Sequence, residues 1–269
     1  MTAPEPADAS PAERWPDALE AALARTRGTL SRCVVLRETA STQDHARAAG
    51  IEPGTVVVAW RQTAGRGRLG RAWADTGTDG VAATFALPAA PPESLAMRSA
   101  VAAASAARRF LAGDACGVKW PNDVVVDGRK LAGVLVERID GTALVGIGIN
   151  VRQTSFPPPL DGHATSLAMH GPAPDRLDVL AALFEEIGIA FAADAADIYR
   201  TYRALDRLSG RNCAFLTPEG QVEGLVEEVD PLRGLRVRDG GGVRFLPAAT
   251  TSVVPPASGS RYGGTHGSA

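Results

Sequence analysis

Two Asp-Gly dipeptides, Asp127-Gly128 and Asp140-Gly141, separate three runs rich in β-branched residues: Asp123 to Val126, Lys130 to Arg138 and Thr142 to Val151. A two-residue hairpin turn matched to strand twist needs positive φ at both central positions, which Asp tolerates and Gly adopts freely. The segment is therefore predicted to be an antiparallel meander, because a parallel crossover needs a far longer connection. Setting the second hairpin in ideal register pairs Leu135 with Gly146 and Gly133 with Gly148. Gly133, Gly146 and Gly148 then share one face of the sheet. Such a face lacks packing unless something lies on it, either a flat ligand or a crossing helix. Strict alternation places Lys130 on the opposite face from Gly133, so either Lys130 lies in the turn or a bulge intervenes.

The rest of the chain is organised around this meander. A short helix is read over Pro16 to Thr26, with Leu19, Ala22 and Leu23 on one face. Cys33 to Leu36 reads as a strand, and Ser41 or Thr42 caps a helix running to about Ala49. Thr55 to Arg61 and Val81 to Leu87 are strands, and Pro92 to Leu111 is an alanine-rich helix. Helices follow around Asp175 to Ala193 and Ala195 to Leu208. Beyond Ser209 the pattern changes to short strands with Gly-containing turns, which predicts a small all-β barrel of roughly five strands. The expected division is a partly disordered arm over 1–30, a main domain over 31–208, the small barrel over 209–256 and a disordered tail over 257–269.

Composition excludes several classes. A net charge of −2 and a pI near 6.1 supply no global field for coating nucleic acid or a membrane surface. No apolar run reaches the ~18 residues of a spanning helix, and the N-terminus lacks the layout of a signal peptide. Three distant cysteines fit reduced thiols in a cytoplasmic protein better than a disulfide framework. The four histidines show no metal-ligand spacing.

The chemistry is concentrated in a few segments. Of the 28 basic residues only Lys119 and Lys130 are lysines, and both lie in KWPNDVVVDGRKLAG, residues 119–133. Lysine differs from arginine where a compact ammonium must meet an anion at close quarters, so this segment is expected to handle a negatively charged reacting group. Chance clustering is the alternative. A second segment, QTAGRGRLGRAW from Gln62 to Trp73, interleaves Gly65, Gly67 and Gly70 with Arg66, Arg68 and Arg71. Glycines let backbone approach a ligand and arginines clamp carboxylate or phosphate, although the spacing matches neither a P-loop nor a dinucleotide fingerprint. A solvated basic loop or an RNA contact would use the same residues.

Together GRGRLGRAW, KWPNDVVVDGRKLAGVLVE and VGIGINV, with ETASTQD (38–44) upstream, resemble the biotin protein ligases. The resemblance implies an α+β fold: a mixed, largely antiparallel sheet flanked by helices, followed by a small SH3-like β-barrel. It implies a ligase that activates biotin with ATP and Mg²⁺ and transfers it to a lysine of a biotin carboxyl carrier domain of acyl-CoA carboxylases. Ser41, Thr42 and Gln43 would line the ureido end of biotin, the family more often having Asn at the third of these positions. Gln62, Gly65, Arg66, Gly67 and Arg68 would hold biotin and close over the intermediate, with Gly133, Gly146 and Gly148 as floor. Lys130 would reach the biotin carboxylate and the α-phosphate. Lys119, Asn122 and Asp123, with Arg68, Arg71, Trp73 and Asn150, would serve the nucleotide, and Asp123 is the candidate for Mg²⁺ or for a base. Lys130, Arg66, Lys119 and Asp123 are thus the expected catalytic set. The short segment before the first strand leaves no room for the DNA-reading domain of the family's repressors, so neither DNA nor membrane is an expected partner. The alternatives are a lipoate or octanoate ligase or transferase of related fold and, from another class, an RNA-binding module using the Arg-Gly loop. The acidic pI and the lack of aromatics around the loop beyond Trp60 and Trp73 count against the latter.

Overall fold

A computed structural model describes residues 12–254. The disorder expected of the first residues and of the tail from 255 lies outside the described residues. In chain order the elements are α1 (Trp15–Leu23), β1 (Arg32–Thr39), α2 (Thr42–Ala48), β2 (Thr55–Gln62), β3 (Gly65–Arg66), β4 (Ala72–Trp73), β5 (Gly80–Pro88) and α3 (Pro92–Arg108). Then come β6 (Cys116–Lys119), β7 (Asp123–Val126), β8 (Arg129–Ile139), β9 (Thr142–Asn150), α4 (Arg176–Ala192) and α5 (Ala195–Leu205). The chain finishes with β10 (Asn212–Thr217), β11 (Gly220–Asp230), β12 (Gly234–Asp239), β13 (Gly242–Pro247) and β14 (Ser252–Val253).

Seven strands form one sheet in the order β1-β2-β5-β9-β8-β7-β6, and only β1 with β2 is parallel. The mixed, largely antiparallel α+β architecture is the one expected. Both Asp-Gly turns form, with φ of 49° at Asp127 and 45° at Asp140 and positive φ at the following glycines. The register is also the expected one: Leu135 pairs with Gly146 and Gly133 with Gly148. One strand was not foreseen. β6 pairs antiparallel with β7, so the meander has four strands and KWPND is the turn between the first two. Four residues ending just before Trp120-Pro121 are too few to display a period.

The two sheet faces are filled differently. One face buries Val56, Val58, Phe85, Val145 and Ile147 beneath the helices in a single apolar core. Phe85 meets Phe184 of α4 edge-on, with ring centroids 5.8 Å apart. The alanines of α3 lie buried in this layer, and their small side chains let the helix approach the sheet closely. On the other face α2 covers one end, where Ala46 packs with Val57, Ala86 and Leu144. The glycine-bearing remainder of that face is left for the site.

The C-terminal strands form an antiparallel sheet in the order β13-β12-β11-β10-β14. Five strands are present, in line with the roughly five expected, but no ladder among the described residues joins β13 to β14, so the sheet is open instead of a closed barrel. β14 has only two residues, too few to close it. The sheet is not separate from the rest. Phe215, Val226, Val229 and Val237 belong to the same continuous core as the helical layer, and Arg203 of α5 donates to Glu228 at 3.0 Å and to the Val229 carbonyl at 2.9 Å.

One charged residue sits within this framework. Arg176, buried at the start of α4, lies against the edge-on pair of Trp15 and Trp60, 4.7 and 4.8 Å from the two ring centroids. It donates to the carbonyls of Gly80 at 2.7 Å and Trp60 at 2.5 Å. Burial pulls its pKa down to about 10, which still leaves it charged at neutral pH. It thereby ties α1, α4, β5 and the end of β2 together, two residues before Gln62.

Candidate active site

The site is a cavity of about 300 Å³ on the glycine face of the large sheet. Gly133, Gly146 and Gly148 form its floor, and a side chain at any of them would press on a neighbouring side chain. A Cβ at Gly148 would lie 2.7 Å from the Trp73 indole, one at Gly133 would lie 3.1 Å from the same ring and from Lys130, and one at Gly146 would collide with Gln43 Oε1. The filler of this face is therefore neither a helix nor bare space. It is the Trp73 side chain from β4 and the carboxamide of Gln43 from α2.

At one end the floor meets a polar cluster set by the start of α2. Ser41 caps that helix, its hydroxyl accepting from Asp44 N at 3.3 Å. Thr42 and Gln43 follow, both buried. Gln62 at the end of β2 accepts through Oε1 from the backbone and hydroxyl of Thr42, at 2.9 and 3.2 Å, and the Thr42 hydroxyl lies 2.9 Å from that of Thr84. Gln43 donates through Nε2 to Glu137 at 2.9 Å, which leaves its Oε1 buried with no hydrogen-bond partner. Each amide is oriented by what it already holds.

Further along the floor is the lysine pair. Lys130 Nζ lies 2.7 Å from one oxygen of Asp123 and Lys119 Nζ 3.3 Å from the other. Lys130 reaches this face because of a β-bulge. Val124 of β7 opposes Ala132 while Val125 opposes Lys130, so Leu131 is the extra residue. It turns into the core, fully buried, and shifts the alternation so that Lys130 joins the face of Gly133. Of the two ways out that the sequence left for Lys130, the bulge is the one used. Burial pushes the Asp123 carboxyl up, but Lys130 and Lys119 beside it outweigh that and hold it below the ordinary carboxylate value. A carboxylate so stabilised is a poor proton acceptor and a good anchor for two ammonium groups.

Asn122 lines the cavity but its side chain is engaged: Nδ2 donates to the Val134 carbonyl and Oδ1 accepts from Arg68 Nη1 at 3.0 Å. Asn150, at the end of β9, donates to the Thr165 carbonyl at 2.9 Å and so fixes the segment that pairs beside Lys130. Among the described residues there is no group of three or more His, Cys, Asp or Glu side chains that could hold a metal ion. Asp123 alone, already matched by two lysines, does not make a protein cage for Mg²⁺.

The glycine-arginine segment folds as a small hairpin, β3 against β4, lying over the floor. Gly65 pairs with Trp73, and a Cβ there would sit 2.9 Å from the Trp73 Cβ, so only glycine fits. Gly67 N donates to the Arg71 carbonyl at 2.7 Å across the tip. The arginines diverge. Arg66 turns away from the lysines to Asp44 and to Glu137, the latter 2.6 Å away, while Arg68 goes to Asn122 and Arg71 is exposed. The sequence pattern suggested that all three arginines clamp an anionic ligand. Arg66 has its charge met by two carboxylates, 22 and 71 residues distant in sequence. Of the expected site residues all line the cavity except Gly65, which lies behind it.

Comparison with known proteins gives this geometry a lineage. Residues 32–153 match the Biotin/lipoate A/B protein ligase family. The biotin–[acetyl-CoA-carboxylase] ligase of Mycobacterium tuberculosis is 34% identical over 208 residues, covering 73% of this chain and 77% of that protein. The chain belongs to the biotin protein ligase family. Among solved structures, the biotin protein ligase of Aquifex aeolicus in complex with biotin and ATP superposes with a TM-score of 0.73 at 27% identity, over 84% of this chain and all of that one. The bifunctional ligase/repressor BirA of Bacillus subtilis is 36% identical, but the match covers 54% of this chain and 48% of that protein.

Within the biotin protein ligase framework the residues missed from sequence are those that hold the others. Glu137, Asp44 and Arg47 fasten Arg66 and Gln43, and Arg176 steadies the strand end that carries Gln62. Ser252 and Val253 of β14 also line the cavity. Only the acidic Glu137 at the end of KLAGVLVE, on the floor face by alternation, gave any signal.

Proposed function

We propose that the protein is an ATP-dependent biotin protein ligase. It activates biotin to biotinyl-5′-AMP with release of pyrophosphate, then transfers biotin to a lysine of the carrier domain of an acyl-CoA carboxylase. The observation that carries this reading is the pair Lys119 and Lys130 held on one carboxylate at the edge of a glycine-floored cavity.

In the first step the biotin carboxylate must approach the α-phosphate of ATP, and the two anions repel. Cations fixed beforehand offset that repulsion and stabilise the in-line transition state, so the catalysis is electrostatic and needs no enzyme nucleophile. Lys130 is the cation at the meeting point, Lys119 extends the positive charge along the phosphates, and Asp123 keeps both in place. Arg68 and Arg71 supply further charge from the hairpin. Mg²⁺ in this reading arrives with the phosphates of ATP. The mixed anhydride that results must be kept from water, which the hairpin does by lying over the floor. In the second step the acceptor lysine, with a free pKa of ~10.4, loses a proton to solvent. Its neutral amine attacks the acyl carbon of the mixed anhydride, forming the amide as the acyl C–O bond breaks and AMP leaves. Asp123 serves there as an orienting anion for the incoming ammonium. We place the reaction in the cytoplasm. No helix of the described residues is long and apolar enough to cross a membrane.

The test is exchange of labelled pyrophosphate into ATP without any acceptor protein. Exchange dependent on biotin supports the reading; exchange that runs with lipoate and not with biotin would assign the protein to the lipoate branch of the family.

A further inference from the structure

The charges that fasten the hairpin and the polar cluster at the end of the floor meet at Glu137. Its Oε1 accepts from Arg66 Nη2 of β3 at 2.6 Å, and its Oε2 accepts from Gln43 Nε2 of α2 at 2.9 Å and from Arg47. Asp44 completes the ring by pairing with both Arg66 and Arg47. The two ends of a carboxamide have nearly the same shape, so its partners decide which end faces where. Beside a carboxylate only the NH₂ end is favourable; the flipped amide would set oxygen against oxygen. Glu137 therefore fixes Gln43 with Oε1 over Gly146, where that oxygen is buried and accepts no hydrogen bond. Gln62 is wired with the opposite polarity, since its Oε1 is taken by Thr42 and its NH₂ is left to donate.

We infer that Glu137 is a positioning residue that sets which head group the site accepts. Through Gln43 it requires an N–H donor at the Gly146 end of the floor, and through Arg66 it fastens the hairpin over the same end. This rests on the biotin reading above and narrows it. A cyclic urea carries N–H groups beside a carbonyl, matching one buried acceptor and one donor. A dithiolane ring or a plain acyl chain has no such donor and would leave Oε1 buried and unpaired, which costs about tenfold in binding.

The experiment measures kcat and KM in pyrophosphate exchange for biotin and for two analogues, each with one ureido N–H replaced by oxygen. Wild type, Glu137→Met and Gln43→Leu are compared. Wild type is expected to prefer biotin over one of the analogues by about tenfold, the size of a single buried hydrogen bond. In both variants that preference should shrink to within about twofold, the loss appearing in KM for biotin and not in KM for ATP. A general loss of structure would lower kcat for all three compounds and leave their ratio alone. A wild-type ratio retained in a folded Glu137→Met, or in Gln43→Leu should the first variant fail to fold, overturns the proposal while the ligase reading stands. Wild-type protein with no biotin-dependent exchange overturns both.

Discussion

At the scale of single residues, the two lysines that the sequence singled out both line the cavity, but how they are held was not legible. Lys130 is on the floor face only because Leu131 is an extra residue in β8, and no local feature of RKLAG announces that bulge. We predict that Lys130→Arg, although it keeps the charge, lowers the single-turnover rate of adenylate formation by at least about tenfold, because a planar guanidinium cannot replace a compact ammonium beside Asp123. Near-normal adenylation by the folded variant would make the two-lysine argument a coincidence. Asp123 makes a second prediction. Its pKa lies below the unfolded carboxylate value, so the stabilisation it provides is present above that value and lost as pH falls through the lowered one. Between about pH 5 and 8 the pyrophosphate-exchange profile should carry no acid limb from this group. A limb in that window that Asp123→Asn removes would contradict the anchoring role. Arg176 was invisible from sequence, since nothing distinguishes one arginine at a helix start from another. Arg176→Ala should cost about 3 kcal/mol in urea unfolding, because two buried carbonyls and the Trp15–Trp60 pair lose their partner; a midpoint unchanged from wild type would show these contacts to be incidental.

At the scale of elements, the central hairpin was legible to the residue because the Asp-Gly turn and the period of two leave one register. The glycine-arginine segment was expected to be a loop, and its fold as β3 and β4 was not legible, since two-residue strands have no periodicity. Its anchoring by Asp44 and Glu137 spans too much chain to be read from sequence. Trypsin reports on this element directly. Cleavage after Arg71, which is exposed, should be readily seen in the free protein and fall when saturating biotin and ATP are added, with cleavage after Arg66 and Arg68 weaker throughout. Equal cutting at all three positions with and without ligands would remove the hairpin from any covering role.

At the scale of the whole molecule, the change of composition after Ser209 precedes the first strand of the small sheet at Asn212, and that sheet shares its core with the rest. Phe215, Val226 and Val237 share one core with Trp15, Phe85 and Leu183, so melting either part exposes the other. We therefore predict one cooperative thermal transition, with calorimetric and van't Hoff enthalpies in agreement. Two resolved transitions would restore the two-domain view. The same continuity explains why Ser252 and Val253 reach the cavity wall, which no sequence pattern foretold. That placement also bears on how the protein is made. The ribosome delivers the floor, both lysines and the hairpin before the strand that completes the wall. A nascent chain, or one ended early by a nonsense codon upstream of Ser252, would hold the glycine floor and both lysines around an unfinished chamber, a state that turnover by proteases would be expected to remove.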